Sequence, residues 1–163
     1  MVIPFASTKV SLSVTVPLVA LVLSACCPPD CPPGPTNLAA QWDQQYEEQK
    51  YDTVIEQTSQ VIEKGESADY YAEARLYRGL AQLRLGQALE AARTDLDIAE
   101  QSVDQLTSVD KTREQVLLYR GQMVVRARLG DIEAAQKYRD RAIEIAPEQK
   151  DDILKEFENA VHQ

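Results

Sequence analysis

Two stretches decide the fold of this chain: "LYRGLAQLRLGQALEAA" at residues 76–92 and "LYRGQMVVRARLGDIEAA" at residues 118–135. They nearly copy each other, with starts 42 residues apart. Self-similarity at that spacing is the mark of stacked helix pairs, in which each unit buries its apolar stripe against the next. Within each copy the apolar residues recur at helical spacing: Leu76, Leu80 and Leu83 at steps of four and three, then Leu118, Val125 and Leu129 at steps of seven and four. That period predicts a helix. Gly86 or Gly130 then closes it, since a helix often ends on a left-handed residue that only glycine adopts without strain. A second helix begins almost at once. The chain therefore reads as all-α, built of antiparallel helix pairs.

The pattern extends in both directions. Upstream, "KYDTVIEQTSQVIEKG" at 50–65 looks like a degenerate first copy, with Trp42 and Tyr46, four apart, as the aromatic part of its leading helix. The connection "EQSVDQLTSVDKTRE" at 100–114 is long, and the first helix of the last copy carries two extra residues. Both features blur the register of the repeats. Downstream, "PEQKDDILKEFENAVHQ" sets Ile153, Leu154, Phe157 and Val161 on one face, with proline and acidic residues at its start. Those residues suit a helix N-terminus. A stacked array needs a polar-backed cap over its last open apolar face, and residues 148–163 are expected to supply it.

Taken together, residues 37–147 resemble the tetratricopeptide repeat (TPR) in about three copies. The small residues that this family places in its second helix fall at Ala92 and Ala99, with Leu96 between them, and at Ala135 and Ala142, with Arg139 between them. In the first copy Val54, Thr58 and Val61 take those places, and Pro147 stands where the family closes a repeat. The resemblance implies a short right-handed solenoid whose first helices line a concave surface used to bind partners. It assigns Tyr77 and Arg84 in one copy, and Tyr119 and Arg126 in the next, to that groove, with Tyr46 extending the stripe. Tyrosine and arginine are enriched in interface hot spots. The alternative is that these tyrosines seal neighbouring repeats and the arginines balance an acidic surface. The family's chaperone-tail clamp uses Lys and Asn where this chain has Tyr77 and Ala81, so capture of an acidic C-terminus in that manner is not expected.

The N-terminus carries a different signal. Lys9 is the sole charge before Cys26, and the apolar run from Val10 to Ala25 is short and broken by Ser, Thr and Pro17. A spanning helix needs about 20 apolar residues, so a cleaved export signal fits better. Leu23-Ser24-Ala25-Cys26 resembles the lipobox of bacterial lipoproteins, which implies removal of residues 1–25 and acylation of Cys26 with palmitate-type chains. Two or more acyl chains hold a protein stably on a bilayer. "CPPDCPPGPTN", filling residues 27–37, is too rich in proline for helix or sheet interior, so residues 26–36 read as a stiff tether. Export permits a disulfide between Cys27 and Cys31, although so small a loop strains the geometry. If the cell has two membranes, Cys27, directly after the anchor, stands where many lipoproteins held at the inner membrane carry aspartate, which favours the outer one, facing the periplasm.

Composition narrows the function. The net charge is −9 and the pI about 4.6, and removal of Lys9 adds one more negative unit. An acidic chain without clustered Lys and Arg is not built for nucleic acid. The sequence carries no Gly-rich phosphate loop, its one histidine is His162 near the end, and no nucleophile–base cluster stands out. No catalytic residue, metal or cofactor is expected. The reading is a lipid-anchored envelope scaffold for a protein or peptide partner, in keeping with assembly of a secretion, pilus or outer-membrane complex. The competing reading is a structural or self-associating lipoprotein with no dedicated ligand. A peptidoglycan-associated module, a third, finds no polar pocket signal.

Overall fold

The structure, a computed structural model, describes residues 37–86, 88–106 and 110–163. The export signal at 1–25, Cys26, the Cys27–Cys31 pair and the tether at 26–36 lie outside the described residues. Seven α-helices follow in order: α1 (Leu38–Glu47), α2 (Tyr51–Ile62), α3 (Tyr71–Leu85), α4 (Leu89–Gln101), α5 (Lys111–Arg128), α6 (Ile132–Ile145) and α7 (Lys150–Val161). They pack as sequential antiparallel pairs. α1, α3, α5 and α7 touch one another in that order. Each of α2, α4 and α6 packs on the helix before it and the one after it.

Local chemistry sets the boundaries. The Asn37 side chain accepts from the Ala40 amide at 3.2 Å, and Asp110 and Asp131 do the same for Arg113 and Ala134 at the starts of α5 and α6. Each satisfies an amide that a helix start leaves unbonded. α3 ends on Gly86 at φ +67°, and α5 is followed by Gly130 at φ +82°. Both glycines stop their helices as the sequence requires. The long connection between α4 and α5 starts with a single 3-10 turn, Val103–Gln105, and then buries Leu106.

The small residues of the second helices are buried where those helices meet their neighbours. Ala92, Leu96, Ala99, Ala135 and Ala142 have no exposed surface, nor do Val54 and Thr58 in α2. Arg139 is the exception; it is half-buried, with its guanidinium 5.0 Å over the Phe157 ring of α7. Close approach also depends on two glycines. A Cβ on Gly79 would lie 2.9 Å from Leu96 Cγ and 3.1 Å from the Ala92 carbonyl oxygen, and one on Gly121 would lie 2.7 Å from Leu80 Cδ2. α4 therefore seats against the bare backbone of α3, and α3 reaches the bare backbone of α5.

Buried charge ties α4 to α3. Asp95 of α4, 2% exposed, accepts from Arg75 Nη1 at 2.6 Å and from Arg78 Nε and Nη2 at 2.7 and 2.8 Å, both on α3. α7 closes the array. Ile153 and Ala160 are buried, Leu154 and Phe157 half-buried, and Val161 is exposed at 37%. Its outer side carries Asp151, Asp152, Lys155 and Glu158, all exposed.

Candidate partner-binding groove

Along the side formed by α1, α3, α5 and α7 the helices leave a cavity of about 290 Å³. Its floor is apolar: Leu80 and Leu83 from α3, Leu117 and Val124 from α5. Its rim is polar: Tyr46 and Glu47 from α1, Arg84 from α3, Arg120 and Arg128 from α5, Glu156 from α7. A second hollow of about 380 Å³ shares Glu47, Leu117 and Arg120 with the first, and it reaches Arg113 and the turn before α7. A third, about 180 Å³, adds Asp43, Tyr77 and Glu114 around Arg113. The three lie in a row along α5, from its last residue back to its first turn, and neighbours share lining residues. Together they mark a furrow that the Arg113 ion pairs cross. Arg113, Leu117, Arg120, Val124 and Arg128 line it at helical steps of three and four, so one face of α5 serves throughout.

The polar rim is organised by arginine. Arg84 Nε donates to the Tyr46 hydroxyl at 2.8 Å, and its Nη2 reaches Glu156 at 3.5 Å. Arg120 Nε donates to the other oxygen of Glu156 at 2.8 Å, and its Nη1 to Gln149 at 3.2 Å. Arg113 pairs with Asp43 and with Glu47. Burial pushes the Tyr46 phenol above its ordinary range, with Arg84 pulling the other way. It therefore stays neutral, a hydroxyl that accepts from Arg84. Arg128 differs from the rest: its Nη1 donates to the Leu83 carbonyl oxygen at 3.1 Å, and its Nε is buried with no hydrogen-bond partner among the described residues.

The structure divides the residues that the sequence placed in the groove. Tyr46 and Arg84 are together in the cavity. Tyr77 is 1% exposed, with its ring 6.5 Å from Trp42 and 6.4 Å from Tyr46. It is a core residue under α1 and offers a partner almost no surface. Burial, then the charges of Asp43 and Glu114, push its phenol far up. Tyr119 and Arg126 belong to another side of α5, turned to α4 and α6. Tyr119 stacks on Tyr138 at 6.2 Å, and Arg126 donates to Asp97 at 2.6 Å. Arg141 lies over both tyrosine rings and donates to Glu100, which also accepts from the Tyr138 hydroxyl at 2.6 Å. Here tyrosine and arginine join neighbouring pairs, while the groove is lined elsewhere.

The reason is register. Counting forward from the shared "LYRG" pairs Arg84 with Arg126. Counting back from the closing glycines pairs the two "RLG" triplets, Arg84-Leu85-Gly86 and Arg128-Leu129-Gly130. The two extra residues in α5 rotate one end of the motif against the other by about 200°. The groove follows the second count, so Arg128 is the counterpart of Arg84. Arg120, Arg128 and Glu156 line the cavity without being reached by the first count, and the repeated "RLG" is the signal that points to Arg128.

Compared with family models, curated proteins and solved structures, the chain matches none.

Proposed function

We propose that this protein is a lipid-anchored envelope scaffold, held by Cys26 and binding a protein or peptide partner along the furrow of a TPR-like array. In a cell with two membranes it would sit on the outer one, facing the periplasm. The observation that supports partner binding is the furrow itself: a row of partly apolar hollows lined by successive first helices, with an arginine at the end of both α3 and α5. An extended segment suits such a groove, because apolar walls supply contact area and a few polar groups fix its register. Tyr46 and the arginines Arg84, Arg113 and Arg120 are bound to one another or to carboxylates, and Arg128 to a backbone carbonyl, which favours recognition over catalysis.

Site-resolved photo-crosslinking in intact cells tests this. A crosslinking side chain at Gln49 or Leu117, both on the furrow, should give a discrete adduct with a protein partner. The same group at Gln136 or Lys137, exposed on α6, should give none. Adducts from α6 alone would move the binding surface elsewhere. An adduct of twice the chain's own mass would favour the self-associating lipoprotein instead.

A further inference from the structure

The chain is acidic, and its arginines are accordingly spoken for. Arg75, Arg78, Arg84, Arg93, Arg113, Arg120, Arg126, Arg139 and Arg141 each have a carboxylate oxygen within 4.0 Å. Arg128 alone has none among the described residues. Its head lines the 290 Å³ cavity, with one bond to a backbone carbonyl and a buried Nε that has no acceptor. Arg128 is half-buried, and a partly desolvated cation without a counter-charge favours an incoming anion. Near it stands Glu156, shared by Arg84 and Arg120, which shows that a glutamate side chain fits between arginines here.

We propose that the cavity receives an acidic side chain of the partner, with the ligand carboxylate bonded to Arg128 and a neighbouring apolar side chain against Leu83, Leu117 and Val124. This rests on the groove reading above and names the chemistry of the occupant. A carboxylate accepts the planar, forked donors of arginine, so one entering the cavity would bond the Arg128 guanidinium where it lines that space and supply the counter-charge that no described residue gives it. Glu156 is then an internal competitor: it holds Arg84 and Arg120 while the site is empty of partner, and those arginines become available when it yields. An acidic ligand also agrees with the rim, where arginine outnumbers glutamate around this cavity although acids outnumber bases in the chain.

The test uses the full chain, isotopically labelled, and reads the Leu83 and Val124 methyl signals and the Arg84 side-chain signal by NMR. The probe is acetyl-Leu-Glu-Leu-amide, with acetyl-Leu-Gln-Leu-amide as its neutral twin and acetyl-Leu-Gln-Leu with a free C-terminus as a third arm. The glutamate peptide should bind with a Kd on the order of 1 mM, and at least about tenfold more tightly than the neutral twin. Arg128→Gln should weaken it about tenfold, Arg128→Lys should restore part of that loss, and Glu156→Gln should tighten it. Melting curves show that each variant is folded; if Arg128→Gln is not, Arg128→Lys and Glu156→Gln carry the comparison. Equal binding of the neutral twin would overturn the acidic occupant while leaving the groove standing. Binding by the free C-terminus alone would assign Arg128 to a chain end and overturn the side-chain proposal. No shift with any peptide also overturns it, whereas failure of the groove itself shows separately as crosslinks confined to α6.

Discussion

Asp95→Asn is the substitution whose consequence the structure fixes most closely. The side chain is 2% exposed and accepts three hydrogen bonds from two arginines. Asparagine keeps the volume but removes the charge, and it turns an amide donor toward guanidinium donors. Losing one partner of a buried ion pair costs about 3–5 kcal/mol, most of it from the charges left behind. Arg75 and Arg78 retain 16% and 19% side-chain exposure, so some water reaches them and the lower end, about 3 kcal/mol, is expected. For a domain of this size that is roughly a 10 °C fall in Tm. Thermal unfolding followed by far-ultraviolet circular dichroism measures it. A triple change, Asp95→Leu with Arg75→Met and Arg78→Met, removes all three charges together and should recover much of the loss. A drop below about 1 kcal/mol for Asp95→Asn would refute the reasoning, as it would mean that the α3–α4 contact does not depend on this cluster.

Gly79→Ala should destabilise despite a helix-propensity gain of about 1 kcal/mol, because the new Cβ meets the Ala92 carbonyl, which cannot swing aside; overpacking costs about 1–3 kcal/mol, and denaturant titration gives the sign. Alkaline titration should unfold the protein. The phenols of Tyr46 and Tyr77 lie above their ordinary value of 10, and that of Tyr138, mainly by burial and then by Glu100, is pushed up to about 12. The folded state holds these protons more tightly than the unfolded one, so their contribution is complete below pH 10 and lost as pH rises through the folded values. Tm measured from pH 9 upward should fall beyond pH 10, with phenolate absorbance rising as unfolding proceeds. Cys26→Ser should abolish incorporation of clickable palmitate in cells; equal labelling of wild type and variant would remove the lipid anchor from the account.

Much of the fold was legible because helix pairs punctuate themselves. Gly86 and Gly130 mark their helix ends, and Ala92, Ala99, Ala135 and Ala142 had to be small wherever helices touch. The groove was less legible, for a physical reason. Helical spacing places a residue on a face, but it does not say which neighbour covers that face. Tyr77 shares a side chain type with Tyr119 at a matching place in the repeat, yet Trp42 and Tyr46 of α1 bury the one, while Tyr138 and Arg141 of α6 half-cover the other. An insertion inside α5 changed which of its arginines matches Arg84. Glu156 was hidden for a different reason: it belongs to the cap and has no counterpart in any repeat.

The central claim is that a partner enters along the first-helix furrow, while the tyrosine–arginine cluster of α4, α5 and α6 holds the array together. Arg84 and Arg126 separate these roles, since the count forward from the shared "LYRG" pairs them although they lie on different sides of the protein. The decisive measurement is the yield of the Leu117 photo-adduct in cells carrying Arg84→Ala or Arg126→Ala, with the melting curve of each variant. Arg84 is half-exposed and only loosely paired with Glu156, so its loss should cut the adduct about tenfold or more and cost at most about 1 kcal/mol of stability. Arg126→Ala should keep the adduct and lower Tm, because Asp97 loses its ion-pair partner and the Tyr138 ring one of its two covering arginines. The reverse pattern, with capture lost on Arg126→Ala and kept on Arg84→Ala, would contradict the account.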